Sequence, residues 1–182
     1  MITLIIHIII YKKEVIVISK FIRKQNRYEH FNYSAKNMYF ITFCTYNNAK
    51  ILSEINTYNK QELPEVKLTE LGLLCDQIIK RYNTEYNINI PFYVIMPNHI
   101  HLIIDLINSK YNSNQNVSNI VKAIKSISSR TVSKEFLEKY GKNIWQKSFY
   151  DRIIRNEIEY YELCKYIQEN PLNWKLDKYW VE

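Results

Sequence analysis

The chain predicts an α+β domain, with an antiparallel sheet and flanking helices close to the ferredoxin-like layout. Three observations predict it. Aromatic and β-branched runs stand at 38–46 and 92–105. Apolar residues recur at helical spacing over 68–82 and 117–127. A third helix begins at a capping asparagine, Asn156, and is stopped by Pro171. The order is strand, helix, strand, strand, helix, strand, helix.

Taken along the chain, the leader MITLIIHIII comes first. It is too short to span a bilayer, which needs about 20 apolar residues. Its positive charges, Lys12 and Lys13, follow the apolar run rather than precede it, unlike an export signal. Its β-branched content suits a strand or hairpin better than a helix. Residues 1–22 are therefore set apart as an apolar leader, and 23–182 read as one domain. Met38 to Tyr46 reads as a strand. Residues 47–66 are polar, contain Pro64 and read as a loop. Leu68, Leu71, Leu74, Cys75, Ile78, Ile79 and Tyr82 mark a helix of about four turns. Phe92–Ile95 and His99–Asp105 read as two strands joined tightly at Pro97 and Asn98. Residues 106–116 form a Ser/Asn loop. Val117, Ile120, Val121, Ile124 and Ile127 give a second amphipathic helix. Trp145–Tyr150 reads as a further strand. Asn156, followed by Glu157 and Glu159 beside the positive dipole end, opens the last helix.

Composition narrows the function. A chain of 182 residues suits one domain, and 47% hydrophobic residues suffice for a core. Net charge is +7, which points to an anionic partner such as nucleic acid or an anionic membrane. The 29 isoleucines, 20 asparagines, 19 lysines and 16 tyrosines all have AT-rich codons, so the asparagine content does not argue for disorder. Only two glycines occur, Gly72 and Gly141, which excludes a dinucleotide-binding loop and a Walker A loop. Cys44, Cys75 and Cys164 form no C-x-x-C, which excludes a zinc finger and disfavours a disulfide framework. Scattered thiols read as buried residues of a cytoplasmic protein.

Three constellations could carry chemistry. His99 and His101 lie at i and i+2 of a strand, so their imidazoles share a face while Ile100, Leu102 and Ile104 face the core. Imidazole is the commonest protein metal ligand. The pair equally suits two surface histidines on a half-buried strand. Tyr166 and Asn170, four apart on the last helix, share a face. The phenol is a candidate nucleophile and the amide carbonyl a candidate metal ligand, although Leu163, Tyr166 and Ile167 also fit a packing stripe. Tyr160 and Tyr161 are rivals of Tyr166 by proximity. Lys122, Lys125, Arg130, Lys147, Arg152 and Arg155 are candidates to contact phosphates, with Trp145, Phe149 and Tyr150 to stack bases. Basic helix faces are also simply solvated.

Tyr93–Ile104, YVIMPNHIHLII, resembles the H-U-H strand of single-tyrosine transposases, where U is a bulky apolar residue. Residues 144–174, IWQKSFYDRIIRNEIEYYELCKYIQENPLNW, resemble the nucleophile region of the REP-associated tyrosine transposases. YFITFCTYN (39–47) is similar to that family's first strand. The resemblance covers about residues 23–174 and not the apolar leader. The motifs are weak singly and specific jointly.

The resemblance implies an RRM-like antiparallel sheet of four to five strands with the histidines on a central strand. It implies that His99 and His101 bind Mg²⁺ or Mn²⁺ and that Tyr166 is the nucleophile. Asn170 stands where related insertion-sequence transposases have a metal-holding Gln, and it reaches less far. A two-histidine site is unusual for Mg²⁺, so Mn²⁺ or another softer ion would bind more tightly. The implied reaction is cleavage and joining of single-stranded DNA through a 5′-phosphotyrosine, with imperfect palindromic hairpins as substrates. The implied assembly is a homodimer, as in insertion-sequence enzymes, or a monomer, as in the REP-associated branch. A regulator that binds hairpins without cutting would share the fold and the basic surface. A membrane-surface protein led by MITLIIHIII is a third class.

Overall fold

The computed structural model describes residues 6–11, 14–19, 36–56, 64–109 and 116–181. The chain falls into two compact units, Met1–Phe31 and Asn32–Glu182. In the first, β1 (Ile6–Tyr11) pairs antiparallel with β2 (Glu14–Ser19), Ile6 opposite Ser19 and Tyr11 opposite Glu14. No helix among the described residues is long and apolar enough to cross a membrane.

The second unit is built on β3 (Met38–Cys44), β6 (Tyr93–Ile95), β7 (His99–Asp105) and β8 (Tyr150–Ile154). Between β3 and β6 lie β4 (Ser53–Asn56), β5 (Glu65–Leu68) and α1 (Glu70–Thr84). Between β7 and β8 lie α2 (Val117–Thr131) and α3 (Lys134–Tyr140), and α4 (Glu157–Glu169) follows β8. The sheet order is β6-β7-β3-β8, and every pairing is antiparallel. This is the expected α+β architecture with a four-stranded sheet and helices.

Two expectations are corrected. The polar stretch 47–66 is not all loop: β4 and β5 pair antiparallel, with Ser53 opposite Leu68. The strand expected at Trp145–Tyr150 begins where that range ends, because Trp145 makes only a single bridge to Thr45. Helix α3 carries no stripe that periodicity could detect, since Phe136 is its single buried residue.

Register assigns the two faces. Residues directly opposite in an antiparallel pair point to the same side. Phe40, Thr42 and Cys44 of β3 stand opposite Ile103, His101 and His99 of β7. Phe40, Ile103 and Ile154 on this face pack with Cys164 and Ile167 of α4. Each such aliphatic side chain fully removed from water contributes roughly 1.5–3 kcal/mol. On the opposite face, Tyr93 stands opposite Leu102 and donates to Asp76 of α1 at 2.7 Å. Lys125 of α2 lies 5.5 Å above the Phe43 ring, on that same opposite face. Hence α4 covers the histidine face, and α1 and α2 cover the other.

Gly72, in the first turn of α1, allows a close approach. A Cβ there would stand 2.0 Å from the Leu52 carbonyl oxygen. Gly141 ends α3 at φ 83, a conformation that costs glycine little.

Candidate metal and nucleophile site

Strand β7 carries two histidines on its α4 side, and both are fully buried. The reading of surface histidines on a half-buried strand is thereby corrected. The chain beyond α4 folds back over them: Tyr179 lies 4.6 Å and Trp174 6.0 Å from the His99 ring. Phe40 stacks on His101 at 5.2 Å.

The hydrogen bonds run inward from fixed points. Asn98 Nδ2 donates to the carbonyls of Tyr179 at 2.7 Å and Asn48 at 3.2 Å. Its Oδ1 is therefore left as the acceptor 2.9 Å from His99 Nδ1. His101 Nδ1 lies 2.7 Å from Thr42 Oγ1, directly opposite in the sheet. The two Nε2 atoms face one another at 3.0 Å. Burial holds His99 down to about 4 and His101 well below the usual imidazole range. For His101 the neighbouring His99 adds to burial, whereas Asp177 partly offsets burial at His99. Both rings are thus uncharged at neutral pH.

Helix α4 brings the phenol to this pair. Asn156 caps its first turn, accepting from the Glu159 amide at 2.9 Å. Glu159 reaches back to the Arg155 amide at 2.8 Å and binds Arg152 of β8 at 2.5 Å. At the other end, Tyr166 Oη stands 3.2 Å from His101 Nε2 and donates to Asp177 Oδ2 at 3.2 Å. Burial first, then the carboxylate of Asp177, raise this phenol to about 12. Tyr166 is 37% exposed, so it is open to solvent on one side. Tyr161 is far more exposed, and Tyr160 packs on Phe92, so neither rival meets the histidines.

Asn170 Nδ2 donates to Asp177 Oδ2 at 2.9 Å, which fixes the amide orientation. Its Oδ1 is buried and has no hydrogen-bond partner. A buried amide oxygen without a donor costs free energy unless something else binds it. His99, His101 and Asp177 offer donor atoms that all lie within 4.8 Å of one another, a cluster that could hold a metal ion. The two Nε2 atoms, 3.0 Å apart, would supply the nitrogen donors of such a set. Asp177 was missed by sequence reasoning. It lies eleven positions beyond Tyr166, and only the turn through Trp174–Leu176 returns it to the site.

The six basic candidates do not form one surface. Lys122, Lys125 and Arg130 belong to α2, on the sheet face away from the histidines. Lys125 is committed to the carbonyls of Gln146 and Ser148, at 2.9 Å each. Arg152 stands opposite Phe40 on the histidine face and is held by Glu159. Lys122, Lys147 and Arg155 are exposed. Lys178, which sequence reasoning passed over, lies 5.4 Å above the Tyr150 ring and 4.8 Å above Tyr179.

Residues 34–170 match the family described as "Transposase IS200 like". The chain belongs to the IS200-like transposases. An uncharacterized protein of Haemophilus influenzae is 29% identical to this transposase over 181 residues, covering 88% of this chain and 94% of its own. Among solved structures, a REP-associated tyrosine transposase bound to a REP hairpin shares the fold. It has a TM-score of 0.50 and 23% identity, over 84% of this chain and 77% of the other. The resemblance read from the histidine strand and the last helix thus holds for family and fold.

Proposed function

We propose that this transposase cleaves and rejoins single-stranded DNA through a 5′-phosphotyrosine on Tyr166, using a divalent ion, and that hairpin DNA is its substrate. The observation that carries this reading is the meeting of Tyr166 Oη with His101 Nε2 at 3.2 Å, across 65 positions of sequence. The solved transposase of the same fold is bound to a REP hairpin, which supports a place for this chain in the REP-associated branch.

His99, His101 and Asp177 would hold the ion, with Asn170 Oδ1 as a further oxygen donor. A mixed nitrogen and oxygen set suits Mn²⁺ better than Mg²⁺. When bound, the ion supplies charge stabilisation for the scissile phosphate. The chain does the rest. Tyr166 Oη forms the new bond to phosphorus as the bond to the upstream 3′ oxygen breaks. The phenol proton passes to Asp177 Oδ2, which already accepts its hydrogen bond, and the departing 3′ oxygen takes a proton from water to become a 3′-OH. The phosphodiester bond is conserved in the covalent intermediate, so a later 3′-OH can reverse the step without ATP. Helix α4 fixes the approach, because the Glu159 bonds to Arg152 and Arg155 tie its first turn to β8.

A second reading, a regulator that binds hairpins without cutting, draws on the complete burial of His99 and His101. End-labelled hairpin DNA incubated with protein and Mn²⁺ or Mg²⁺, then run on a denaturing gel, separates the two. The proposal expects a protein–DNA adduct that chelator abolishes. A binding shift with no adduct under either ion would establish the regulator instead.

A further inference from the structure

We propose that Thr42 is a positioning residue whose hydroxyl reverses its hydrogen bond to let His101 change tautomer as a metal ion enters. The inference rests on the reading that His99 and His101 hold a metal.

The tautomers follow from the outer contacts. Asn98 donates both of its outward hydrogen bonds to carbonyls, so its Oδ1 must accept from His99 Nδ1. A neutral His99 with its proton on Nδ1 has a bare Nε2. That bare nitrogen faces His101 Nε2 at 3.0 Å. Two lone pairs at that distance repel, so without an ion His101 carries its proton on Nε2 and donates it to His99. His101 Nδ1 is then bare, and Thr42 Oγ1, 2.7 Å away, must donate to it.

An ion between the rings requires the opposite arrangement. Both Nε2 atoms must then present lone pairs. His101 keeps one proton, which moves to Nδ1, and Thr42 Oγ1 must accept it. A hydroxyl does both at one distance, because its hydrogen rotates and its oxygen keeps lone pairs. Thr42 is 1% exposed and also hydrogen-bonds the Tyr179 phenol, so its hydroxyl is held away from bulk water. His99 needs no such partner: its Nδ1–H donates to Asn98 in either state. The two ligands are therefore supported differently, one by a fixed acceptor and one by a reversible group. Partners of this kind set the orientation and basicity of ligating imidazoles, and their loss weakens metal binding about 10–100-fold.

Thr42→Val keeps the shape and removes the hydroxyl, while Thr42→Ser keeps it. The full chain is titrated with Mn²⁺, followed by electron paramagnetic resonance. Long-range ¹H–¹⁵N spectra of the metal-free protein report the imidazole tautomers. The expected results are an Nε2–H His101 beside an Nδ1–H His99, weakening of Mn²⁺ binding by about 10-fold or more in Thr42→Val, and affinity restored to within a few-fold in Thr42→Ser. A metal-free His101 protonated on Nδ1 would overturn the switch, and this test needs no variant to fold. Unchanged Mn²⁺ affinity in a folded Thr42→Val would overturn it too. Wild-type protein that binds no Mn²⁺ would overturn the metal reading itself, a result distinguishable from either.

Discussion

His99 and His101 sit fully buried and uncharged, and that state has a consequence for stability. Unfolded, each histidine titrates near 6.5. Folded, His99 titrates at about 4 and His101 well below its usual range. Below about pH 6.5 the unfolded chain takes up protons that the folded chain refuses, so stability rises with pH between about 4 and 6.5. Urea unfolding across that window, with chelator present, should show stability falling on acidification. The double variant His99→Gln/His101→Gln should flatten the slope. An unchanged slope would assign the acid sensitivity to other groups. The pairing of His99 with His101, and of Tyr166 with Asn170, was legible because strand and helix periods put each pair on one face. Asp177 was not legible. It reaches Tyr166 through a turn that carries no periodic signal, and only the fold-back makes it a neighbour.

Elements that hold the site were legible in proportion to their apolar period. Helices α1 and α2 were expected at nearly their observed positions because buried residues recur along each, and α4 because Asn156 caps it and Pro171 stops it. Strands β4 and β5 were not, because each has four residues and neither is apolar throughout. At this scale two substitutions test the supports. Asn156→Ala removes the cap from the helix that carries Tyr166 and should cost about 1 kcal/mol. Gly72→Ala places a methyl 2.0 Å from a backbone oxygen, so α1 or the Leu52 segment must shift. Overpacking of this kind costs about 1–3 kcal/mol. Denaturant unfolding measures both, and a Gly72→Ala protein as stable as the wild type would show that the approach of α1 to Leu52 is not tight.

At the scale of the whole molecule, the basic candidates among the described residues stand on both sides of the sheet, Lys122, Lys125 and Arg130 with α2 and Arg152 on the histidine face. Sequence could not show this, because the side of the sheet on which α2 packs is a property of topology. Binding of single-stranded DNA should weaken with salt by a slope of about −0.7 per phosphate neutralised. Replacing exposed Lys122 should reduce that slope if DNA reaches the α2 side, and Lys178→Ala should reduce it if DNA follows the Tyr166 side. The most direct measurement is to digest the covalent protein–DNA product and locate the nucleotide by mass spectrometry. The account predicts a 5′-phosphate on Tyr166 in the presence of Mn²⁺ and none in Tyr166→Phe, which should still bind hairpin DNA within a few-fold of wild type. A nucleotide on Tyr160 or Tyr161, or an adduct that persists in Tyr166→Phe, would contradict it.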